Sequence, residues 1–390
     1  MTAHASVHAA TPQSRRPTTT ASHAIVADRI FDGTRMLDRH ALVVDGNRIA
    51  AVAPADNVDG TDIAEFTGTL LPGIIDLHTH QLAGGVPGDV IVRHGVTTVR
   101  DVGGPRVPPG NNSPVLRMVR AGPILTAPSG YPIPVFGSAD VAWEVADAAE
   151  ARAAVTRLVA DGVTVIKIAV EPGGSPGAPW TAHAPTAPPP WPVLPVDVVG
   201  AVVDEAHSHG VGVTCHLSGP DGARVALDAG VDEWAHVPCE LLPDDLISRA
   251  ADAGVHVIST LDTHARCPGA MDNATRLTAA GVRLLYGTDM AHPDVPWGVD
   301  AQELMLMLHA GHGALTAEDV LAAATARAGA HLGLDPLGQL VAGAPADVIG
   351  VRGDPRENLK SLEYPDLVIA AGTIVHVDRS GTFPGAPTAS

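Results

Sequence analysis

Residues 71–80 read Leu-Pro-Gly-Ile-Ile-Asp-Leu-His-Thr-His, an apolar run that ends in two histidines. Alternate residues of a β-strand point to the same face, so a strand here directs His78 and His80 the same way. Two imidazoles on one face are typical ligands of a transition metal such as zinc. A doubly wound nucleotide-binding sheet would carry a glycine-rich phosphate loop at this position instead. The segment therefore predicts a strand that ends at a metal site.

Seven further apolar runs follow the first one, and amphipathic stretches separate them. The eight runs cover residues 73–80, 96–102, 124–127, 163–170, 211–217, 233–237, 255–260 and 282–288. Helical patterns lie between them at 140–160, 196–209, 222–229, 244–253 and 301–312. A Gly-Val pair begins or precedes five of the runs, as expected where a glycine ends a helix before a strand. Strands that alternate with helices indicate a parallel sheet, and eight such units predict an α/β fold of the (βα)8 TIM-like barrel type.

Both ends of the chain read instead as short strands separated by turn residues. Residues 22–71 and 334–380 each carry too little apolar surface to fold alone, so we predict that they form one small β-sandwich together. The catalytic barrel would then occupy residues 72–333. Residues 1–21 are rich in Ala, Ser, Thr and Pro and predict a disordered arm, and residues 381–390 predict a tail.

The composition argues against several classes of protein. The chain of 390 residues has a net charge of −19, which repels a phosphate backbone and argues against nucleic-acid binding. No apolar run reaches the roughly 18 residues of a transmembrane helix, so we expect no membrane partner. Three cysteines are too few for a disulfide framework and favour a reducing compartment. No apolar signal segment follows Arg15 and Arg16, so the expected location is cytoplasmic.

Further polar side chains fall in or at the ends of the other predicted strands. They are Lys167, His216, His236 and Asp289. The carboxyl ends of barrel strands meet at one mouth, so these groups should join the two histidines of the first strand in a metal site. His264 and His292 lie just beyond the seventh and eighth strands, where they would contact the substrate.

Lys167 is one of only two lysines, and it lies in the apolar run Val-Thr-Val-Ile-Lys-Ile-Ala-Val. A buried, unpaired ammonium is costly, and metal ions nearby would repel it further. Reaction of the amine with carbon dioxide resolves both problems, because the resulting carbamate is an anion that can bridge two metals. The sequence therefore predicts that Lys167 is carboxylated.

Together these motifs resemble the amidohydrolase superfamily, in its two-metal form with a carboxylated lysine and in its imidazolonepropionase-like and prolidase-like branch. The motifs that carry the resemblance are residues 71–80, Val165-Ile166-Lys167-Ile168, Thr214-Cys215-His216, Glu233-Trp234-Ala235-His236 and Gly287-Thr288-Asp289, with flanking segments at 95–104 and 343–347. The resemblance spans roughly residues 24–377 and implies a metal-dependent hydrolase acting on C–N bonds.

The resemblance implies a role for each matching residue, with two Zn²⁺ ions per chain. The more buried zinc would be bound by His78, His80 and Asp289. The more exposed zinc would be bound by the histidines that end strands five and six. Carboxylated Lys167 and a hydroxide would bridge the two ions. Asp289 would take the proton from the attacking hydroxide and pass it to the leaving nitrogen.

Two positions depart from that branch. Many relatives carry Gly-Gly-His after the third strand, where this chain has Pro128-Ser129-Gly130-Tyr131-Pro132. Relatives that act on peptides often have a tyrosine two residues after the fifth-strand histidine, where this chain has Ser218. Both positions normally touch the substrate, so we expect a specificity unlike that of an ordinary prolidase. Tyr131 would substitute as the group that steadies the oxyanion.

A long insert follows the fourth strand shortly after Lys167. Residues 171–193 contain eight prolines and two tryptophans, Trp180 and Trp191. Long loops at the carboxyl ends of barrel strands are often functional, so we predict a lid or pocket wall, with an inert surface loop as the alternative.

The leading functional hypothesis is hydrolysis of an amide bond in a small-molecule or peptide-like substrate, with removal of a follower peptide from a natural-product precursor as one form. The alternative enzyme is a cyclic-amide hydrolase or a deaminase on a small heterocycle. Deaminases of this superfamily carry HxxE at the fifth-strand histidine, whereas this chain has His216-Leu217-Ser218-Gly219. A non-catalytic relative is the third hypothesis, but such a protein would have lost metal ligands. The oligomeric state stays open, with a homo-oligomer as one option.

Overall fold

The computed structural model describes residues 19–20, 23–59, 63–107, 115–136, 141–172, 192–292 and 294–377. Residues 1–18 and 21 of the predicted arm, the predicted tail and most of the 171–193 insert, including Trp180 and Trp191, lie outside the described residues. Thr19–Thr20, which the prediction included in the disordered arm, form a strand. None of the helices in the described ranges combines the length and the apolar character needed to span a bilayer.

The strands are short and run through the whole described chain. They are β1 (Thr19–Thr20), β2 (His23–Phe31), β3 (Met36–Asp45), β4 (Arg48–Pro54), β5 (Val58–Asp59), β6 (Ile63–Pro72), β7 (Ile74–Thr79), β8 (Val96–Asp101), β9 (Arg117–Arg120), β10 (Ile124–Thr126), β11 (Ala142–Glu144), β12 (Val165–Ala169), β13 (Gly212–His216), β14 (Glu233–Trp234), β15 (His256–Ile258), β16 (Arg283–Leu285), β17 (Val348–Val351), β18 (Leu367–Ala370) and β19 (Thr373–Val377).

The helices lie between the central strands and after the last of them. They are α1 (Gln81–Gly84), α2 (Gly88–Arg93), α3 (Ile133–Phe136), α4 (Ala148–Ala160), α5 (Val196–Ser208), α6 (Pro220–Asp228), α7 (Asp244–Ala253), α8 (Ala270–Ala279), α9 (Ala301–Ala310), α10 (Ala317–Ala323) and α11 (Ala326–His331). Two 3₁₀ turns lie at Ala55–Asn57 and Leu359–Glu363.

The central strands form two parallel sheets. The larger has the order β11-β10-β12-β13-β14-β15-β16, and the smaller has the order β7-β8-β9. Each of the eight predicted apolar runs contains one of these strands, so the α/β class and the parallel pairing are confirmed. Strands β9 and β11 were not predicted, because they are short, are not buried and show no apolar run.

Hydrogen bonds connect the two parallel sheets where they approach each other. Between β7 and β16, the Leu77 amide donates to the Tyr286 carbonyl at 3.2 Å. On the other side, next to β9 and β12, the Thr164 amide donates to the carbonyl of Arg120 at 3.2 Å. Within the described residues, the strand ladders therefore form two connected parallel sheets rather than one continuous closed ring.

Five glycines in the left-handed backbone conformation lie just before strands of the parallel sheets. Gly95, Gly162, Gly210, Gly254 and Gly281 all have φ between 68° and 88°. An L-residue with a side chain is strained in this region, so glycine lets the chain leave each helix and enter the next strand. The Gly-Val pairs therefore act as predicted, and the helices and strands pack around one large apolar core.

Strands from both chain ends join one seven-stranded mixed sheet of order β19-β18-β17-β6-β2-β3-β4. The register pairs Leu71 near the first end with Ile349 near the second. Both faces are apolar, because Ile25 and Val26, neighbours on β2, belong to different buried clusters. The other sheet here, β1 with β5, has two strands, so a two-layer sandwich stays a prediction.

A disulfide joins Cys239 to Cys267, whose Cα atoms lie 5.0 Å apart. The cysteine count argued against a disulfide framework and for a reducing compartment, so it did not predict this bond, which runs against that expectation. Two cysteines 28 residues apart give no sign in the sequence that they are neighbours in space. The bond joins the loop after β14 to the loop after β15, where the amide of Cys267 donates to the carbonyl of His264.

Candidate metal centre and active site

The two histidines of β7 are fixed by backbone carbonyls. Nδ1 of His78 lies 2.8 Å from the Ala235 carbonyl oxygen, and Nδ1 of His80 lies 3.0 Å from that of Gly103. A carbonyl oxygen can only accept, so each Nδ1 carries the proton. Each Nε2 is then left with a lone pair for a metal, the arrangement typical of metal-binding histidines.

Asp289 completes a first group of possible ligands with these histidines. Its Oδ1 lies 3.5 Å from Nε2 of His78 and 3.2 Å from Nε2 of His80. The three ligand atoms lie within 4.8 Å of one another. Burial raises the pKa of Asp289, but the neighbouring histidines outweigh it and hold that pKa well below its usual value. Asp289 is therefore an anion, as a metal ligand should be.

A second group combines His236, His264 and the same Asp289, again within 4.8 Å. Thr260 connects its histidines, because its hydroxyl lies 3.1 Å from Nδ1 of His236 and 3.4 Å from Nδ1 of His264. The sequence predicts His264 at the rim, in contact with substrate. Here it is 2% exposed and lies beside the predicted ligands. Burial lowers its pKa to about 4, so it is neutral at pH 7.

His216 lies next to these groups but belongs to neither group of three. Its ring stacks on that of Tyr131 at a centroid distance of 4.4 Å, and it meets the His236 ring edge-on at 4.9 Å. Burial lowers the pKa of His216 well below its usual value. Tyr131 therefore lies beside the predicted ligands. Its expected role near the reacting carbonyl requires this position.

Lys167 is buried among these side chains with 1% of its surface exposed. Its Nζ has no hydrogen-bond partner among the described residues. Burial lowers the pKa of Lys167 to about 8, so a substantial fraction of the amine is neutral near that pH. A buried amine with no partner is costly, which points to a group that the protein's own atoms do not supply.

A cavity of about 400 Å³ opens onto these residues. Its polar lining residues are His80, Tyr131, Lys167, His216, His236, Asp289 and His292. The structure therefore brings His292 to the same cavity, as predicted for a substrate contact. A larger cavity of about 800 Å³ lies at the amino ends of β15 and β16, and none of the predicted ligands is among its described lining residues.

Sequence reasoning assigned no role to Asp76, which lies in the middle of β7 and is fully buried. Its carboxylate accepts hydrogen bonds from the amides of His78 and Thr288 and from the Thr288 hydroxyl at 2.6 Å. Asp76 thus holds the ends of the first and eighth strands together. A carboxylate inside an apolar strand was the available signal, the same one that singled out Lys167.

Arg100, Glu233 and His331 form a separate buried cluster, here called the ion-pair cluster. In the strand register Glu233 lies level with Lys167, two strands away. Arg100 donates to both carboxylate oxygens of Glu233, at 3.1 and 2.6 Å, and to the Leu77 carbonyl at 2.7 Å. His331 binds the same carboxylate. Burial raises the pKa of Glu233, but Arg100 outweighs it and holds that pKa well below its usual value.

Comparison with known proteins agrees with this geometry. Residues 90–375 match the amidohydrolase family, and residues 23–65 match the NagA composite domain. An uncharacterised protein of Mycobacterium tuberculosis is 28% identical over 365 residues, covering 85% of this chain and 90% of that protein. An imidazolonepropionase of Klebsiella pneumoniae is 45% identical over 51 residues, 13% of each chain.

A solved structure also has this fold. The crystal structure of a Xaa-Pro dipeptidase with methionine bound in its active site superposes with a TM-score of 0.73 and 24% identity. The match covers 90% of this chain and 99% of that one. Since the family match extends over more than half of the chain, the assignment does not depend on any single relative. The chain therefore belongs to the amidohydrolase family and is a hydrolase acting on C–N bonds.

Proposed function

We propose that the chain is a zinc-dependent amidohydrolase that cleaves an amide bond in a small-molecule or peptide-like substrate. The observation that carries this proposal is the buried, unpartnered amine of Lys167 in a cavity shared with imidazoles and a carboxylate. A purely structural lysine would be paired with an acid or would reach solvent.

The residues present fit two divalent ions. The ligands would be His78, His80, Lys167, His216, His236 and Asp289. Imidazoles with one or two carboxylate-type anions are a donor set that suits zinc. The unprotonated Nε2 atoms of the β7 histidines support this assignment, because the carbonyl partners of Nδ1 leave them as acceptors. Bound there, the ions would polarise the scissile carbonyl and supply hydroxide near neutral pH.

Carboxylation of Lys167 would complete the ligand set. The neutral amine attacks carbon dioxide, a new N–C bond forms, and the nitrogen releases a proton. The lowered pKa of Lys167 supports this step, because a neutral amine is the nucleophile. The product is an anion, so the cost of burying an ammonium beside two metal ions disappears.

Asp289 would carry the proton during hydrolysis. Its carboxylate is anionic at neutral pH and faces both histidines of β7, so it can accept a proton from the attacking water and pass it to the leaving nitrogen. The hydroxyl of Tyr131, whose pKa burial raises, stays protonated and can donate to the developing oxyanion. His264 and His292 would contact the substrate or the reacting water.

The substrate is proposed to be peptide-like because the fold resembles that of a dipeptidase. The cavity of about 400 Å³ suits the end of a peptide or one modified residue. Removal of a follower peptide from a natural-product precursor is one reaction of this kind. We further propose that the two parallel sheets close into a (βα)8 barrel, supported by the Leu77–Tyr286 and Thr164–Arg120 hydrogen bonds.

The test is a metal analysis combined with a hydrolysis screen. Protein purified with zinc should be assayed on N-acyl amino acids, dipeptides, hydantoins and longer peptides. We expect bound zinc and hydrolysis of at least one linear amide class, abolished by a chelator and restored by zinc. Protein that binds no metal, or that deaminates heterocycles and cleaves no linear amide, would contradict the proposal.

A further inference from the structure

The walls of the active-site cavity are mainly apolar where they are not predicted ligands. Ala83, Ile124, Pro132, Val141 and Ala291 line it, together with two glycines. Apart from the ligands, its polar lining side chains within the described residues are those of Tyr131 and His292. The part of a substrate that fills this space would therefore meet mainly carbon atoms.

The described lining residues also offer no free cation for an anionic substrate group. Lys167 is the single lysine or arginine among them, and the proposed function makes it a carboxylated ligand. The internal segments outside the described ranges, at 60–62, 108–114, 137–140, 173–191 and 293, contain no lysine or arginine in their sequence. Arg266 follows His264 by two residues, but it is exposed and is not among the lining residues.

An ionised carboxylate needs a cation or several donors when it leaves water, and arginine is the usual partner because it binds both oxygens. Without such a partner the cost of desolvation weakens binding. We infer that the substrate group entering this cavity is neutral and mainly apolar, so that uncharged amides are preferred over amides whose leaving part ends in a free carboxylate. This inference rests on the proposed amide hydrolysis.

Matched substrates test the inference directly. N-acetyl derivatives of leucine, phenylalanine and proline are assayed in pairs, as free acids and as carboxamides, with acetate release as the readout for the zinc-loaded protein. We expect kcat/KM for each hydrolysed carboxamide to exceed that of its acid by about tenfold or more, the scale of one charge-assisted hydrogen bond. Equal values, or a preference for the acids, would overturn the inference.

Binding separates failure of the inference from failure of the proposed function. If no member of any pair is cleaved, calorimetric titration of the same zinc-loaded protein still compares acid and carboxamide. Tighter binding of the carboxamides supports the neutral cavity even though the proposed hydrolysis of such amides fails. Equal or tighter binding of the acids overturns the neutral cavity whether or not any amide is cleaved.

Three variants locate the effect in the molecule. Val141→Arg adds a cation to the wall, and Val141→Met adds similar length without charge. The arginine variant should raise kcat/KM for the free acids about tenfold relative to the methionine variant, with equal zinc content. Arg266→Gln should leave the preference unchanged. A lower kcat/KM for the free acids alone in Arg266→Gln would show that Arg266 reaches the substrate, and would contradict the inference.

Discussion

Two of the buried polar clusters in the parallel sheets differ in whether the protein's own atoms satisfy their hydrogen-bonding groups. In the ion-pair cluster, Arg100 and His331 both bind Glu233, and Arg100 also reaches a backbone carbonyl. At the strand ends, Nζ of Lys167 and Nε2 of His78 have no hydrogen-bond partner among the described residues. Buried polar groups in proteins are nearly always paired.

The difference assigns a role to each cluster. A cluster whose polar groups are all hydrogen-bonded within the protein needs no bound ligand, and it serves to hold strands together. An unsatisfied cluster at the mouth of a cavity is stable only when something binds there. The predictions below compare the ion-pair cluster with the ligand cluster, defined as His78, His80, Lys167, His216, His236 and Asp289.

The largest expected effect is on activity, from Lys167→Ala. Loss of the bridging anion should remove one metal ion, and with it several kcal/mol of transition-state stabilisation, or roughly 10³-fold in kcat/KM. Lys167→Arg should be equally inactive, because a guanidinium cannot form a carbamate. Thermal unfolding of metal-free Lys167→Ala should show a fold at least as stable as the metal-free parent, since an unpaired buried amine is lost. An arginine variant with full activity would contradict carboxylation.

Glu233→Gln should lower the free energy of unfolding more than the other variants do. It should not change the binding of metal. Removing one partner of a buried ion pair leaves Arg100 unpaired and costs about 3–5 kcal/mol. The matched control is Asp244→Asn, which breaks the Arg276–Asp244 pair on the surface and should cost less than about 1 kcal/mol. Urea unfolding measures both values. Equal costs would mean that the ion-pair cluster is not the structural element we describe.

Asp289→Asn should lower turnover by about 10²-fold, the scale of losing a general acid–base group. Asparagine keeps the size and one coordinating oxygen but carries no proton at neutral pH. Zinc content and the far-UV circular dichroism spectrum check that the site and fold persist. Turnover within a few-fold of the parent would move the proton-transfer role to another group, with His264 and His292 as the next candidates.

His264→Gln should have a smaller effect, a 10- to 100-fold loss of metal affinity, as for other residues that support a metal site. The expectation follows from its place beside His236 and Thr260. His256→Gln is the matched control, because His256 lies at the amino end of its strand and lines the other cavity. Competition with a zinc chelator measures both affinities. An unchanged affinity in His264→Gln would return His264 to the role of substrate contact.

The strands and their carboxyl-end residues could be predicted because each depends on local pattern. Apolar runs such as 163–170 mark buried strands, and the glycines before them mark helix ends. In a parallel sheet those strand ends fall on one edge, so the convergence of His78 and Asp289 follows from topology.

The remaining features depend on contacts between distant residues and could not be predicted in this way. The Thr260 hydroxyl contacts the rings of both His236 and His264, so His264 lies beside His236. The place of His264 in the sequence, just beyond the seventh strand, suggested a position at the rim. The pairing of Arg100 with Glu233 joins residues 133 apart, and the Cys239–Cys267 bond joins residues 28 apart. Arg100 and Glu233 lie in apolar runs, which is a local sign of burial, but burial alone does not identify the partner.

The most direct test of the contrast between the two clusters is the metal content of the purified protein and its Lys167→Ala and Glu233→Gln variants, measured by inductively coupled plasma mass spectrometry. We predict two zinc ions per chain in the parent, fewer than two in Lys167→Ala, and two in folded Glu233→Gln. Parent protein that binds no zinc, or a Lys167→Ala variant that retains both ions, would contradict the claim that the unsatisfied groups at the strand ends form a lysine-bridged metal centre.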